Sequence, residues 1–272
     1  MADFFGLFDH KSAGGVPEDS QKRGRVRNFF QIYFRKFWKL ALLNLLYILF
    51  CIPIITIGPA TAGIVKVLKN FSQETHSYVF SDFWSSFKKN FKQSFIVGIA
   101  EILIVLCILS GFIVYPSLAV QSGNIIWYIF FIIVASIFIL LFIMKFYIYL
   151  MIVTTNIKLT DIIKNSFVLT FMEFKRNLST AVIVIVTLIA TTVLVIFYNN
   201  LLPFTLFGPL TTLWLLICYN CYPVIKKYVI APYYEQMGEE NPEDRLYSQS
   251  NSDEVLFKDM GAHEAKVERE KG

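Results

Sequence analysis

The sequence predicts an all-α fold: a polytopic transmembrane helix bundle of five to six helices, with cytoplasmic interfacial amphipathic helices. Hydrophobic residues make up 56% of the 272 residues, and the mean hydropathy is +0.56. Only 17% of the residues are charged, whereas about a quarter are charged in soluble domains. A soluble domain of this length would leave too much apolar surface in water, since folding buries only about three quarters of a chain's surface.

Long apolar runs give the predicted transmembrane helices, because a span needs roughly 20 predominantly apolar residues. Five runs fit this requirement, and a weaker sixth run follows the first after a short break. In chain order the six runs are residues 40–57, 60–68, 95–115, 125–153, 181–198 and 206–225.

Positive charges decide how the weak run 60–68 is placed, because cytoplasmic loops carry an excess of Lys and Arg. The arm before the first run and the segment after 60–68 are both basic, and one crossing cannot leave both inside. We therefore predict that residues 38–69 cross out and back around 53–59, which gives six helices. Both termini are then cytoplasmic in a multi-pass protein of the cell membrane. The alternative is five spans with the basic N-terminal arm outside.

Three segments combine an aromatic face with basic neighbours, a pattern typical of interfacial helices. They are residues 30–39, 80–95 and 159–175. Such helices either anchor the bundle at the level of the lipid headgroups or form a docking surface for a cytoplasmic partner. In the second case, the candidate docking face consists of Lys88, Lys89 and Lys92.

Polar composition marks both ends of the chain. We expect residues 1–24 to form a flexible cytoplasmic arm and residues 25–234 to form the transmembrane domain. The polar, acidic residues 235–272 are expected to form a disordered cytoplasmic tail. No cleavable signal is expected, because the first apolar run begins only near residue 40.

Pro53, Gly58 and Pro59 form a candidate broken-helix segment within the stretch NLLYILFCIPIITIGPATAG at residues 44–63. Proline removes a backbone donor, and a Gly-Pro pair interrupts a helix. Transporters place broken helices around their substrates, so this segment is a candidate for a substrate-lining element. A simple turn near the outer surface is the other interpretation, and the predicted hairpin already requires one.

Glu101 and Lys145 form a candidate intramembrane ion pair. Glu101 is the one acidic residue well inside a predicted span, and Lys145 is the one basic residue inside 125–153. Charged groups in lipid are costly and usually pair with each other or face water. Both residues fall in the cytoplasmic half of their spans, so an ion pair is predicted. The alternatives are that Lys145 extends alone to the interface, or that the two residues serve proton or ion coupling.

No catalytic centre, metal site or cofactor site is recognisable, and we expect no enzymatic activity. Cys218 and Cys221 have the Cys-x-x-Cys spacing, but they lie in an apolar run where packing is expected rather than redox chemistry. The histidines lie in separate polar segments without neighbouring metal ligands; they are His10, His76 and His263. The net charge of +5 comes with no nucleic-acid-binding motif, so no such partner is expected.

Three stretches resemble the YesL-like family of bacterial multi-pass membrane proteins, whose function is unknown. They are FFGLFD at 4–9, FRKFWKLALLNLLYILFCIPIITIGPATAG at 34–63 and FSDFWSSFKKNFKQS at 80–94, and the resemblance covers about 4–234. It implies a cell-membrane protein found beside carbohydrate uptake and glycan breakdown, and it supplies no catalytic residues. The expected function is an accessory or regulatory component of carbohydrate uptake or utilisation, in contact with the lipid bilayer and with a sugar permease or sensor. An autonomous small-solute transporter is the alternative.

Overall fold

The computed structural model describes residues 25–75, 77–197 and 208–238. All regular secondary structure in these residues is helical. The α-helices are α1 (Arg25–Arg35), α2 (Phe37–Cys51), α3 (Ile57–Ser72), α4 (Val79–Lys89), α5 (Phe91–Ser122), α6 (Ile126–Thr154), α7 (Leu159–Met172), α8 (Phe174–Phe197), α9 (Pro209–Ile225) and α10 (Ala231–Met237). A 3-10 turn, Ile54–Thr56, joins α2 to α3, and a π-helical turn, Lys226–Ile230, joins α9 to α10.

Three of the described helices are long and apolar enough to cross a membrane. They are α5, α6 and α8, with 32, 29 and 24 residues. For the described residues, this finding confirms the prediction of an all-helical fold that contains candidate membrane-spanning helices. In contrast, α2 and α3 have 15 and 16 residues, fewer than the roughly 17–25 residues of a span, and α9, with 17 residues, lies at the lower limit of that range.

The turn between α5 and α6 is shorter than the sequence suggested. Helix α5 continues through Pro116 to Ser122, and Gly123 ends it with φ +65°, a left-handed conformation that glycine adopts without strain. The side chain of Asn124 then accepts a hydrogen bond from the backbone N–H of Ile126 at 3.0 Å. The two long helices therefore form a tight hairpin with an uncharged turn.

The buried core lies at one end of the long helices. Helix α3 is buried along most of its length, and the buried residues of α6 all lie between Ile143 and Ile152. In α8 the buried residues lie between Asn177 and Val184. The far halves of α5, α6 and α8 expose large apolar side chains, which suits a lipid environment better than water.

Helices α2 and α3 form a closed hairpin. The guanidinium of Arg35, just before α2, pairs with the carboxylate of Glu74, just after α3, at 3.0 Å. The ammonium of Lys36 lies 4.3 Å from the centre of the Phe71 ring. The pKa of Lys36 is lowered to about 8, chiefly by burial and also by the positive charges of Arg35 and Lys39, while Glu74 acts in the opposite direction. The start of α2 and the end of α3 thus lie side by side.

Helix α4 packs its aromatic residues into the core. Phe83 and Phe87 are buried, and both rings lie 5.3 Å from the ring of Phe50 on α2. The hydroxyl of Ser86 donates to the carbonyl oxygen of Ala62 on α3 at 3.0 Å. Helices therefore occupy the segments predicted to be interfacial, but two of the aromatic residues assigned to the lipid headgroups stabilise a helix–helix contact instead.

Residues Phe29–Ile225 form one compact unit, and a second unit contains the remaining residues, of which 25–28 and 226–238 are described. The predicted arm, residues 1–24, and the three histidines lie outside the described residues, as do residues 239–272. The predicted disordered tail begins at residue 235, yet α10 continues to Met237, so the first residues assigned to the tail are helical.

Candidate functional site

Glu101 and Lys145 are in contact where α5 packs against α6. The Nζ atom of Lys145 donates a hydrogen bond to Oε1 of Glu101 and forms an ion pair with it. The Glu101 side chain is 26% exposed and the Lys145 side chain 34% exposed, so the pair lies at the edge of the core. The predicted ion pair is therefore present as a contact between two helices that are long and apolar enough to cross a membrane.

Two aromatic residues surround this ion pair. The hydroxyl of Tyr149 donates to Oε2 of Glu101 at 3.1 Å, so both carboxylate oxygens accept hydrogen bonds. The ring of Trp214 on α9 lies 5.8 Å from Nζ of Lys145 and packs edge to face against Tyr149. Within lipid this environment keeps both charges satisfied, because the carboxylate has two donors and the ammonium has a carboxylate and an aromatic face.

The break between α2 and α3 is shorter than the predicted segment. Pro53 lies in the break, where the hydroxyl of Thr56 can donate to the carbonyl oxygen of Phe50 at 2.5 Å or to that of Pro53 at 2.7 Å. Helix α3 resumes at Ile57, so Gly58 and Pro59 belong to its first turn rather than to the break. Proline is tolerated there because the first N–H groups of a helix have no intrahelical partner.

Gly58 has a packing role that the motif did not reveal. A Cβ atom on Gly58 would overlap the backbone carbonyl oxygen of Ser94 and lie 3.1 Å from the Cα of Gly98. Conversely, a Cβ on Gly98 would lie 2.8 Å from the Cα of Gly58. The absence of side chains at both positions lets α3 and α5 cross with their backbones in contact, as small residues do in membrane helix packing.

Lys88, Lys89 and Lys92 line one shallow cavity of about 400 Å³. The other lining residues are Asn90, Gln93, Thr155 and Asn156, so the cavity lies between the α4–α5 junction and the segment that follows α6. The side chain of Gln93 donates to the carbonyl oxygen of Ile157 at 3.3 Å, which fixes these two segments together. The cavity is basic, since its charged lining residues are all lysines.

A third polar cluster joins α6, α7 and α8, and the sequence did not point to it. The hydroxyl of Tyr147 donates to Oδ1 of Asn177, while Nδ2 of Asn177 donates to the carbonyl oxygens of Leu169 and Thr170 at 2.9 and 3.0 Å. All these residues are buried. The signals in the sequence were a tyrosine, Tyr147, within the apolar run 125–153 and an asparagine, Asn177, shortly before the run 181–198.

The remaining candidates for chemistry contribute no reactive cluster. Cys218 and Cys221 are buried in α9 and form no disulfide. The Cys218 thiol lies 3.9 Å from the carbonyl oxygen of Val65, which it can approach as a weak donor. Among the described residues, no group of three or more His, Cys, Asp or Glu side chains could hold a metal ion.

A model of the family described as protein of unknown function, DUF624, matches residues 40–112. DUF624 is the YesL-type family, and the match covers less than half of the chain. The matched residues include the α2–α3 hairpin, the three cavity lysines and Glu101, but not Lys145. No curated protein and no solved structure matches the chain.

Proposed function

We propose that this protein is an accessory or regulatory component of carbohydrate uptake at the cell membrane. In this proposal, it binds an acidic cytoplasmic segment of a sugar permease or sensor through the cavity lined by Lys88, Lys89 and Lys92. The carbohydrate assignment is supported by the resemblance to the YesL-like family. The docking assignment is supported by the convergence of the three lysines on one cavity.

The chemistry of the cavity favours an acidic protein segment. Three exposed ammonium groups in one concave surface produce a local positive potential that attracts carboxylates and increases the association rate. The amide and hydroxyl groups of Asn90, Gln93 and Thr155 add hydrogen-bonding capacity for a peptide backbone. The Lys88 ammonium is held 4.7 Å from the centre of the Trp84 ring, which limits the positions it can take.

Co-purification from native membranes in mild detergent tests this proposal. The wild-type protein should retain a sugar permease or sensor in stoichiometric amount, identified by mass spectrometry. The variant K88E/K89E/K92E should lose that partner while inserting normally, because charge reversal repels an acidic segment. The variant K158E/K164E/K175E is the matched control, since it reverses three lysines that do not line the cavity. Equal recovery of the partner with both triple variants would contradict the proposal.

For the topology, we propose that the α2–α3 hairpin is re-entrant and that α5, α6, α8 and α9 cross the membrane. Gly58, near the tip of the hairpin, lies against Ser94 and Gly98. Gly98 is only six residues beyond Lys92, about 9 Å along a helix, whereas a crossing requires about 30 Å. This short distance favours a re-entrant hairpin over the predicted crossing out and back. It still leaves both basic flanks and both termini on the cytoplasmic side, as the charge distribution requires.

Cysteine labelling from outside intact cells distinguishes these topologies. In a variant without native cysteines, Asn124→Cys in the α5–α6 turn should react with a membrane-impermeant maleimide. Ile55→Cys at the hairpin tip and Ser12→Cys in the N-terminal arm should remain unlabelled until the cells are opened. Labelling of Ile55→Cys from outside would support a complete crossing, and labelling of Ser12→Cys would place the N-terminus outside.

The second candidate function is that of an autonomous small-solute transporter. The ion pair of Glu101 and Lys145 favours it, because ionisable groups within membrane helices often mark solute or proton pathways. Purified protein in vesicles should then move a sugar or an ion, and Glu101→Gln should abolish this flux. The thermal stability of Glu101→Gln should not be lower than that of Lys145→Met. Vesicles of the wild-type protein that move neither sugar nor ion would count against this function.

A further inference from the structure

The half-buried side chain of Arg176 has two nitrogen atoms whose hydrogen bonds are unmade. Its Nε and Nη2 atoms are buried and have no hydrogen-bond partner in the described part of the chain. Buried polar side-chain atoms almost always have a partner, and a buried charge without one is strongly destabilising. Unsatisfied buried groups of this kind call for an explanation, and a bound ion that completes their hydrogen bonds is one.

The position of Arg176 in α8 adds to the positive charge at this point. The helix begins at Phe174, and its first turn contains Lys175 and Arg176 but no acidic residue. The unpaired N–H groups of a helix N-terminus carry partial positive charge, which favours acidic rather than basic residues there. The two side chains and the helix dipole therefore have the same sign, and a bound anion would remove this repulsion.

Tyr147 and Asn177, two neutral residues near Arg176, already have hydrogen-bond partners. The charge of Arg176 acts on the hydroxyl group of Tyr147, which donates to the neighbouring Asn177. That asparagine in turn donates to two carbonyl oxygens of α7, and neither Tyr147 nor Asn177 is a hydrogen-bond partner of the two buried nitrogens. Glu173, the residue before α8, makes no hydrogen bond to the two buried nitrogens.

We propose that the guanidinium of Arg176 binds a phosphate group, supplied by the headgroup of an anionic phospholipid at this end of α8. The planar guanidinium presents paired N–H donors that match two phosphate oxygens. Helix α8 is long and apolar enough to span the membrane. In the topology proposed above, its basic first turn would lie at the cytoplasmic boundary, where headgroup phosphates are found. A dissolved phosphate ion offers the same oxygens and is the other source of this ligand.

Thermal unfolding in a phosphate-free maltoside detergent tests the proposal and separates the two sources. The full-length protein is measured alone, with phosphatidylglycerol, with diacylglycerol of the same acyl chains, and with inorganic phosphate at constant ionic strength. Phosphatidylglycerol should raise the unfolding midpoint by about 3–6 °C at roughly ten times its Kd, while diacylglycerol should not. An equal rise with inorganic phosphate would identify a site for the free ion. No rise with either phosphate compound would overturn the proposal.

The variants show whether Arg176 is responsible for the response. R176Q should lose the rise in the midpoint, and K175Q, with its exposed lysine one position earlier, should keep it. Without any phosphate, R176Q should unfold at the same temperature as the wild type or higher, since it removes a charged group with two unpaired buried nitrogens. A midpoint lowered equally in all conditions would indicate a purely structural role and overturn the proposal. If R176Q does not fold, R176K decides the question: it lacks the planar fork, and an unchanged response to phosphatidylglycerol would exclude the site.

Discussion

Replacement of Gly58 by alanine should destabilise the protein, although helix propensity alone predicts the opposite. Alanine is favoured over glycine by about 1 kcal/mol in a helix interior, and this value is an upper limit for Gly58 in the first turn of α3. However, the added methyl group would overlap the carbonyl oxygen of Ser94 and lie 2.9 Å from its carbonyl carbon. Ordinary contacts begin at 3.4 Å, and backbone atoms cannot rotate away from the clash as a side chain can. The crossing of α3 and α5 must therefore widen.

The expected magnitude follows from these two opposing terms. Overpacking of this kind costs about 1–3 kcal/mol or more, and backbone contact places Gly58→Ala at or above the upper end. After subtraction of the propensity gain, about 2 kcal/mol of destabilisation remains. At about 2–4 °C per kcal/mol for a chain of this size, the unfolding midpoint should fall by about 4–8 °C.

Tryptophan fluorescence during heating in detergent provides the measurement, and Gly111→Ala is the matched control. Gly111 also lies in α5, but its Cβ would meet side chains: Cγ1 of Val134 at 3.2 Å and a ring carbon of Tyr115 at 3.3 Å. Those side chains can move by a few tenths of an ångström, so the control should stay within about 2 °C of the wild type. If Gly58→Ala unfolds within this range as well, the backbone contact between α3 and α5 does not exist as described.

Three further predictions concern individual interactions. A double-mutant cycle of Glu101→Gln and Lys145→Met should give a coupling energy of about 1–3 kcal/mol in thermal or chemical unfolding, and additive effects would show that the two charges do not interact. The lowered pKa of Lys36 means that the unfolded state binds more protons between pH 8 and 10.5, so stability should rise with pH across this window. The substitution Lys36→Met should remove most of this rise in stability, whereas Lys39→Met should leave the rise unchanged. Thermal unfolding midpoints measured between pH 8 and 10.5 test both expectations. The substitution Asn177→Ala should cost about 2–4 kcal/mol, because it leaves two buried carbonyls and a tyrosine hydroxyl without a partner, and a loss below 1 kcal/mol in the same assay would refute this.

The amino-acid sequence by itself determined the helical elements and their membrane character. The runs 95–115, 125–153 and 181–198 all lie almost entirely within helices long enough to span a membrane, because hydropathy over such a length is a local property of the chain. The contact between Glu101 and Lys145 was also predictable, since two isolated opposite charges in lipid strongly favour each other.

The tertiary structure decided what depends on the distance between segments far apart in the chain. Only the folded chain brings Gly58 against Gly98, and this contact places the hairpin tip near the start of α5 and changes the favoured topology. The tertiary structure also places Phe83 and Phe87 in the core, although their helical spacing fits a lipid-facing stripe equally well. The unpaired nitrogens of Arg176 belong to the same class, because a sequence gives the charge of a residue but not its burial or its partners. Periodicity identifies the face of a helix, whereas packing determines what that face contacts.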